Sequence, residues 1–177
     1  MGRLNQDDYL WSLAFQAAAR STCDRGRHGC VVAREGVVLA TGYNGSAPGE
    51  PHCDEDGHLL IHHIPVNPAN PEVGVLGESH CIRTIHAEMN AVINAALVGV
   101  SLKGCDWYIT GVPCQRCSMA ISRLRPAALY LRSDFGDPAA LSWWWKRAER
   151  YGIPLIFPAN LKELTKRGVI PECYRKK

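Results

Sequence analysis

The sequence lacks any segment that could cross a bilayer as a helix. No run approaches the roughly 20 consecutive apolar residues that a membrane-spanning helix needs. Residues 1–9 are polar and include Asp7 and Asp8, so they do not form the apolar centre of a cleavable signal peptide. We therefore expect a cytoplasmic protein that has no membrane among its partners.

A strong surplus of charge of one sign is also missing, since 20 Lys and Arg against 17 Asp and Glu give a formal net charge of +3. A surplus this small does not by itself indicate nucleic-acid binding, and it suits a small anionic substrate equally well. Internal repeats and low-complexity tracts are absent as well. With 177 residues, 46% of them hydrophobic, residues 1–177 are expected to fold as a single domain with a sizeable core.

Cysteine, by contrast, is abundant, with 8 residues. Thiols that stay reduced in a cytosolic chain bind metal more often than they form disulfides. A disulfide framework is the alternative, but it requires a secreted context to which nothing in residues 1–9 points. Cys30 and Cys105 lie in predicted strands and are interpreted as core thiols, whereas Cys173 lies in the tail.

Helical and strand patterns alternate along the chain. Apolar spacing predicts helices over 5–20, 84–98, 114–123 and 139–151, and short apolar runs predict strands over 30–33, 37–41, 106–110, 127–132 and 153–157, followed by a polar tail. This alternation indicates an α/β layered fold with a largely parallel sheet, in which a tight turn makes the first two strands antiparallel. The segment at about 46–80 is predicted to be a loop insertion, because most of it is dense in Pro, Gly, His and acidic residues without periodicity.

Two short segments carry the residue types that a catalytic metal site needs. A His-Ala-Glu sequence at 86–88 opens one predicted helix, and Pro-Cys-Gln-Arg-Cys at 113–117 opens the next. Thiols three residues apart on a first helical turn point the same way, so His86, Cys114 and Cys117 offer three zinc ligands. The fourth position stays open, which is typical of catalytic zinc, where water becomes hydroxide at neutral pH. The helix N-termini would also stabilise the thiolates.

Glu88 follows the imidazole ligand by two residues. At that offset its side chain leaves the ligand direction but stays near the metal, where a carboxylate can accept a proton from water and pass it to a substrate. Neither motif is specific by itself, but their order and the spacing of 28 residues from His86 to Cys114 favour a catalytic site. The alternative is a closed structural zinc site with a fourth protein ligand, which would leave Glu88 and Pro113 without a role.

These segments resemble the zinc-dependent cytidine and deoxycytidylate deaminase superfamily, whose signature is H-x-E followed by P-C-x-x-C. The segments TGYNGS at 41–46 and CIRT at 81–84 resemble its deoxycytidylate (dCMP) deaminase branch, and the resemblance runs from about Tyr9 to about Ile156. It implies a three-layer α/β/α sandwich around a five-stranded mixed sheet. It also implies homo-oligomers, often hexamers.

The resemblance further implies an activity. It is the hydrolytic deamination of a cytosine deoxynucleotide, with dCMP converted to dUMP and ammonia as the best single expectation. His86, Cys114 and Cys117 are then the ligands of the catalytic zinc, and Glu88 carries protons.

Substrate contacts follow from the same resemblance. Asn44 is expected to contact the sugar through its amide, and the Ala87 backbone is expected to meet the base edge. Phe135 stands where an aromatic residue, often Tyr, is expected, and it keeps the stacking face but loses a hydroxyl. A 5-substituted dCMP is therefore an alternative substrate. The candidate cations for the phosphate are Arg25, Arg27 and Arg83.

A second zinc is a separate hypothesis from the resemblance. Segments 51–53 and 79–81 resemble segments that hold a structural zinc in some members, and many relatives have Gly-Cys where this chain has Gly57-His58. Such an ion would pin the loop insertion. The predicted ligands are Cys23, Cys53, Cys81 and one of His58, His80 or His52. The alternative is that these are ordinary loop residues and buried thiols.

Two rival functions stay open. A deaminase acting on a base within RNA or DNA would need a basic channel and aromatic stacking platforms, whereas the modest charge and the loop at Tyr43-Asn44 favour a free nucleotide. A non-enzymatic zinc-binding module is the other, and Glu88 speaks against it. Regulation by dCTP and dTTP is not expected, because Asn94 and Leu97 stand where regulated members carry an aromatic residue and an Arg.

Overall fold

Six helices and seven strands make up the part of the chain that the computed structural model describes, residues 3–61, 80–132, 138–158 and 161–171. The helices are α1 (Gln6–Ala19), α2 (Cys53–Asp56), α3 (Ala87–Leu97), α4 (Gln115–Arg123), α5 (Pro138–Tyr151) and α6 (Leu161–Lys166). The strands are β1 (Gly29–Arg34), β2 (Val37–Tyr43), β3 (Leu60–Ile61), β4 (His80–Cys81), β5 (Asp106–Ile109), β6 (Ala128–Leu131) and β7 (Leu155–Ile156). No helix within these ranges is long and apolar enough to cross a membrane.

Five strands form one mixed sheet in the order β2-β1-β5-β6-β7. β1 is antiparallel to β2 and to β5, whereas β5 with β6 and β6 with β7 are parallel. The five-stranded mixed sheet is therefore confirmed, but the prediction of a largely parallel sheet is wrong. The reason is that the β1–β2 hairpin joins the sheet through β1, which runs against its neighbours on both sides. β3 and β4 form a separate antiparallel pair.

Alternation along the central strands divides the core into two layers. Because successive residues of a strand face opposite sides of the sheet, one set packs against α3, α4 and α5 and the other packs against α1. The first set contains Cys30, Val32, Trp107, Ile109, Leu129 and Leu131, and the second contains Val31, Ala33 and Tyr108, with Tyr130 packed beside them. Helices thus cover both faces, and the predicted three-layer sandwich is confirmed.

Glycines bring the two helical layers unusually close to the sheet. A Cβ built on Gly29 would overlap the Ala14 carbonyl oxygen on α1, and one built on Gly42 would overlap the Ala87 carbonyl oxygen on α3. Both glycines are buried. Close packing of this kind fixes the position of each helix against the sheet. A residue with a side chain at either glycine would push the helix away from the strand.

Side-chain amides of α3 also form hydrogen bonds to the backbone of β2, at one outer edge of the sheet. Asn90 Nδ2 donates to the Tyr43 carbonyl at 2.7 Å, and Asn94 Nδ2 donates to the Thr41 carbonyl at 2.8 Å. The two asparagines are four residues apart, so they lie on one side of the helix. β2 is therefore fixed to α3 by its backbone as well as by packing.

The segment after β7 is helical, and the prediction of a polar tail is wrong there. Within α6 and the turn that follows, Leu164, Val169 and Ile170 are buried against the α1 layer, and Arg167 Nη1 lies 3.4 Å from Asp8 Oδ2. Three apolar residues among many charged ones give too short a pattern to predict a helix. The loop insertion likewise contains α2 and β3, each too short to show periodicity.

Gly42→Ala is expected to destabilise the fold, because the added methyl group would collide with backbone atoms of α3. The expected loss is about 1–3 kcal/mol in the free energy of unfolding, measured by urea titration. Thr41→Ala, an exposed site on the same strand, is the control and should change it by less than about 1 kcal/mol. An unchanged midpoint for Gly42→Ala would contradict the close approach of β2 and α3.

Candidate active site and metal clusters

The N-termini of α3 and α4 meet at one point and bring three potential metal ligands together. His86 is the N-cap of α3 and Cys114 is the N-cap of α4, both with extended backbone, and Cys117 lies in the first turn of α4. The His86 Nδ1 atom lies 3.5 Å from the Cys114 Sγ atom and 3.5 Å from the Cys117 Sγ atom. The structure thus brings together the three residues that the sequence predicts as ligands of a catalytic zinc. We call them the first cluster.

The spacing of these atoms fits a shared zinc ion. Zinc–sulfur and zinc–nitrogen bonds of about 2.3 and 2.0–2.1 Å at tetrahedral angles place N and S about 3.6 Å apart. The observed separations are 3.5 Å, and all three ligand atoms lie within 4.8 Å of one another. Among the described residues no fourth Cys, His, Asp or Glu joins the group. The donor set is therefore that of an open zinc site.

The first cluster already favours a thiolate. Hydrogen bonds from Cys117 and His86 outweigh burial and lower the pKa of the Cys114 thiol to about 3. The pKa of the Cys117 thiol is raised, first by its hydrogen bond to Cys114 and then by burial. The pKa of His86 is raised, chiefly by its hydrogen bond to Cys114. The thiolate form is the one that binds metal.

Glu88 is buried in the first turn of α3, beside the first cluster. Burial raises the pKa of its carboxyl, although its own backbone hydrogen bond and the His86 charge oppose the shift. A buried carboxyl with a pKa moved toward neutrality is suited to accept and release protons. The predicted position next to the metal ligands agrees with this geometry, and its part in catalysis stays a prediction.

Two side chains were not singled out by the sequence: His28, on which the His86 charge of the first cluster acts, and Arg132, whose charge also acts on His28. His28 has its pKa lowered to about 4, first by burial and then by the charges of His86 and Arg132. Arg132 is buried at the end of β6, with its guanidinium 5.9 Å from the Phe15 ring centroid. Neither belongs to a motif, so only the folded chain reveals them. Burial, and then the Glu88 charge, raises the pKa of the Cys30 thiol. Cys30 is buried in the core, as predicted.

Asn44 organises the loop that precedes β1. Its Oδ1 accepts from the His28 backbone N–H at 2.7 Å, and its Nδ2 donates to the Gly26 carbonyl at 2.8 Å. An amide retains one further N–H and one further lone pair, so a sugar contact is compatible with this role. Sequence reasoning missed the loop-holding role. Ala87 is fully buried as the first residue of α3, and the contact of its backbone with the base stays a prediction.

The predicted phosphate cations lie in different settings. Arg25 and Arg27 are exposed on the loop that Asn44 holds. Arg83 is largely buried, and its Nη2 lies 3.0 Å from Asp56 Oδ2, so it already has a protein partner. Phe135 lies outside the described residues.

Four further ligands form a second cluster within the loop insertion and the segment before β1. The Cys53 and Cys81 Sγ atoms are 3.6 Å apart, and the Cys23 Sγ atom lies 3.8 Å from His58 Nδ1. All four ligand atoms lie within 4.8 Å of one another. Tetrahedral zinc would place two sulfurs about 3.8 Å apart. Three thiols and one imidazole therefore fit a closed structural zinc site.

The structure selects one of the three histidines that the sequence offered for this second cluster. His58 belongs to the group, whereas His52 is the N-cap of α2 and does not. The side chain of His80 lies outside the described residues. Burial would raise the pKa of the Cys81 thiol, but hydrogen bonds from the Arg83 backbone and from His58 lower it to about 7. Burial raises the pKa of Cys53 to about 12.

The described part of the insertion buries little apolar surface around the second cluster. In residues 46–60 and 81–83, the range whose burial is described, Cys53 is buried, while Leu59, Leu60 and Ile82 are exposed. Apolar burial within this range therefore offsets little of the entropy cost of ordering it. A bound metal that cross-links residues 23, 53, 58 and 81 would supply the missing stabilisation.

Comparisons with known proteins agree with this site. Residues 4–132 match the family described as "Cytidine and deoxycytidylate deaminase zinc-binding region". The chain is 33% identical over 135 residues to "ComE operon protein 2" of Bacillus subtilis (strain 168), covering 76% of this chain and 63% of that protein, so it spans just under two thirds of that relative. It is 33% identical over 129 residues to "Deoxycytidylate deaminase" of Mycobacterium phage D29, covering 69% of this chain and 90% of that protein.

A solved structure shares the fold. The crystal structure of dCMP deaminase from the cyanophage S-TIM5 in complex with dCMP and dUMP superposes with a TM-score of 0.63 at 20% identity, covering 89% of this chain and all of that chain. The predicted fold class is confirmed by this superposition.

Zinc-loaded protein is expected to contain two zinc ions per chain, one for each cluster. Cys117→Ser and Cys53→Ser should each lower the zinc content by one equivalent, because each removes one ligand from a different cluster. The measurement is elemental analysis after dialysis. Cys105→Ser, a buried thiol outside both clusters, is the matched control and should retain both ions. One equivalent in the unsubstituted chain, lost in Cys117→Ser and kept in Cys53→Ser, would remove the second site.

Proposed function

The chain belongs to the cytidine and deoxycytidylate deaminase family, and we propose that it hydrolyses the amino group of a cytosine deoxynucleotide, with dCMP and water giving dUMP and ammonia. The observation that carries this proposal is the first cluster, with three zinc ligands from two helix N-termini and a buried carboxyl beside them. The choice of dCMP is supported by the phage D29 relative, named as a deoxycytidylate deaminase, and by the phage S-TIM5 enzyme solved with dCMP and dUMP.

Zinc in the first cluster would be held by His86, Cys114 and Cys117. When bound there, zinc is a Lewis acid that lowers the pKa of water from 15.7 towards about 7. Zinc agrees with the "zinc-binding region" by which the matched family is described.

Glu88 moves the protons in the proposed reaction. Its carboxylate accepts the proton that the attacking water loses and delivers it to the ring nitrogen N3 as the new C4–O bond forms. A proton from the same oxygen then goes to the departing amino nitrogen as the C4–N bond breaks, so that ammonia leaves and the carbonyl of dUMP remains. Burial keeps bulk water from exchanging with these protons.

The loop before β1 binds the rest of the nucleotide in this proposal. Asn44 contacts the sugar with the hydrogen-bonding capacity that its loop contacts leave, and the Ala87 backbone meets the base. Arg25 and Arg27 are the cations for the phosphate, because both are exposed on that loop whereas Arg83 is engaged by Asp56. Phe135 is kept as the proposed stacking residue.

The second cluster is proposed to hold a structural zinc through Cys23, Cys53, His58 and Cys81. Its closed ligand set leaves no position for substrate, which supports a structural role. We also propose that residues 1–177 form a single deaminase domain with an insertion at about 46–80. A cytoplasmic location is part of the proposal, because reduced thiols are needed in both clusters.

A homo-oligomer, with a hexamer as the specific form, completes the proposal. Ile93 and Leu97 are four residues apart on α3, and Leu97 and Val98 are 79% and 70% exposed. Exposed apolar side chains that share one end of a helix are suited to a subunit contact.

The proposed reaction is tested by following ultraviolet absorbance with dCMP, CMP, deoxycytidine and 5-methyl-dCMP. We expect the highest kcat/KM for dCMP. Glu88→Gln should retain zinc but lose at least about 10²–10⁴-fold in turnover, because it removes the proton carrier and leaves the ligands intact. Glu149→Gln, on the exposed side of α5, is the control and should keep full activity.

Different outcomes separate the alternatives. A preference for 5-methyl-dCMP would favour a 5-substituted substrate, and activity only on RNA or DNA would favour a nucleic-acid deaminase. No turnover of any substrate by the zinc-loaded chain would favour the non-enzymatic module. Near-normal activity of Glu88→Gln would refute the assigned role of Glu88.

Leu97→Glu is expected to weaken self-association by at least about tenfold, because a carboxylate would be buried without a partner at the proposed contact. Light scattering after size-exclusion chromatography measures the mass of each variant. Val37→Glu changes another exposed apolar residue, 63% exposed at the start of β2, and should leave the mass unchanged. A monomeric unsubstituted chain would refute the oligomer, and an oligomeric Leu97→Glu would refute this contact.

A further inference from the structure

His58 is contacted through both of its ring nitrogens. Its Nδ1 atom lies 3.8 Å from the Cys23 Sγ atom, within the second cluster. Its Nε2 atom lies 2.9 Å from Asp24 Oδ1, on the opposite side of the ring. The imidazole is therefore placed between the sulfurs and a carboxylate.

This arrangement is the one by which proteins orient a metal-binding histidine. A ligating imidazole donates its other N–H to a carboxylate or carbonyl, which fixes the tautomer and the ring orientation. We infer that Asp24 is a positioning residue for the second zinc site. Its carboxylate accepts from the Nε2–H group of His58 and holds the Nδ1 lone pair toward the three sulfurs. This inference rests on the proposed second zinc.

The other carboxylates around α2 are engaged elsewhere or point to solvent. Asp56 pairs with Arg83 at 3.0 Å, and Glu55 Oε2 accepts from the His52 backbone N–H at 3.3 Å. Asp54 is exposed, and no hydrogen bond or ion pair ties it to the described part of the chain. Asp24 is thus the carboxylate that the fold supplies to His58.

Exposure distinguishes this role from a simple ion pair. The Asp24 side chain is 69% exposed and that of His58 is 22% exposed. An ion pair with so exposed a partner contributes little to stability, because solvent screens it. A carboxylate that orients a metal ligand, in contrast, typically changes metal affinity by about 10–100-fold. We therefore expect Asp24 to affect how tightly the second cluster retains its metal more than it affects the stability of the fold.

The position of Asp24 in the chain links the metal to the substrate loop. Cys23 supplies a ligand, Asp24 orients a second ligand, and Asn44 holds the following residues at Gly26 and His28. Zinc in the second cluster would consequently fix the start of the loop that carries Arg25 and Arg27, and Asn44 fixes its end.

The test compares Asp24→Asn and Asp24→Ala with the unsubstituted zinc-loaded chain. A coloured chelator follows the release of each zinc equivalent, and ¹¹³Cd NMR of the cadmium-substituted protein reports each site separately. We expect the affinity of one equivalent to fall by about 10–100-fold in Asp24→Ala and by less in Asp24→Asn, which keeps an acceptor oxygen. Only the resonance of the site with three sulfurs should shift.

Asp54→Asn is the matched control, because it removes one exposed negative charge from the same region without touching His58. Unchanged release of both equivalents in Asp24→Ala would overturn the inference. Equal lowering of the melting temperature with and without metal would also overturn it, since a plain ion pair behaves in that way. A chain with one zinc that still deaminates dCMP would refute the second site alone, whereas two zincs without deamination would refute the proposed activity alone.

Discussion

The structure depends on the meeting of two helix N-termini beside the sheet. His86 and Cys114 are N-cap residues with extended backbone, so their side chains leave the helix ends and approach one another. Gly42 lets α3 lie directly on β2, which sets where His86 stands. A small displacement of either helix would separate a nitrogen and two sulfurs that must share one ion. The close packing of the helices on the sheet is therefore required for the metal ligands to lie close enough to share one ion.

Two chain segments join the clusters to each other. Residues 81–86 run from Cys81 in the second cluster to His86 in the first, and a backbone bridge between Gly45 and Ile85 fixes them to the end of β2. The segment that starts at Cys23 is fixed to the neighbouring Asn44. The end of β2 thus supports both segments, so it links the two clusters in addition to the direct chain connection from Cys81 to His86.

Local patterns predicted much of this molecule, and contacts between distant segments account for what they missed. The short apolar runs of β1 and β5 and the motif around His86 are local, so these strands and the first cluster could be predicted, whereas the three-layer arrangement was implied by the resemblance to the family. The interactions of His58 with Asp24 and of Arg83 with Asp56 join residues far apart in sequence or without a motif. The same is true of His28, which approaches His86 only after folding. α6 was missed because the three buried residues in it and in the following turn are too few to form a pattern.

The asparagine contacts along β2 have a consequence for how copies of the chain can associate. β2 is one of the two outer strands of the five-stranded sheet, with β7 at the other edge, and an unpaired outer strand is a template onto which a strand from another molecule can add. Here the amides of Asn90 and Asn94 occupy the carbonyls of Tyr43 and Thr41. A foreign strand would have to displace both before it could pair. Sheet extension through β2 into fibrous aggregates is thereby disfavoured.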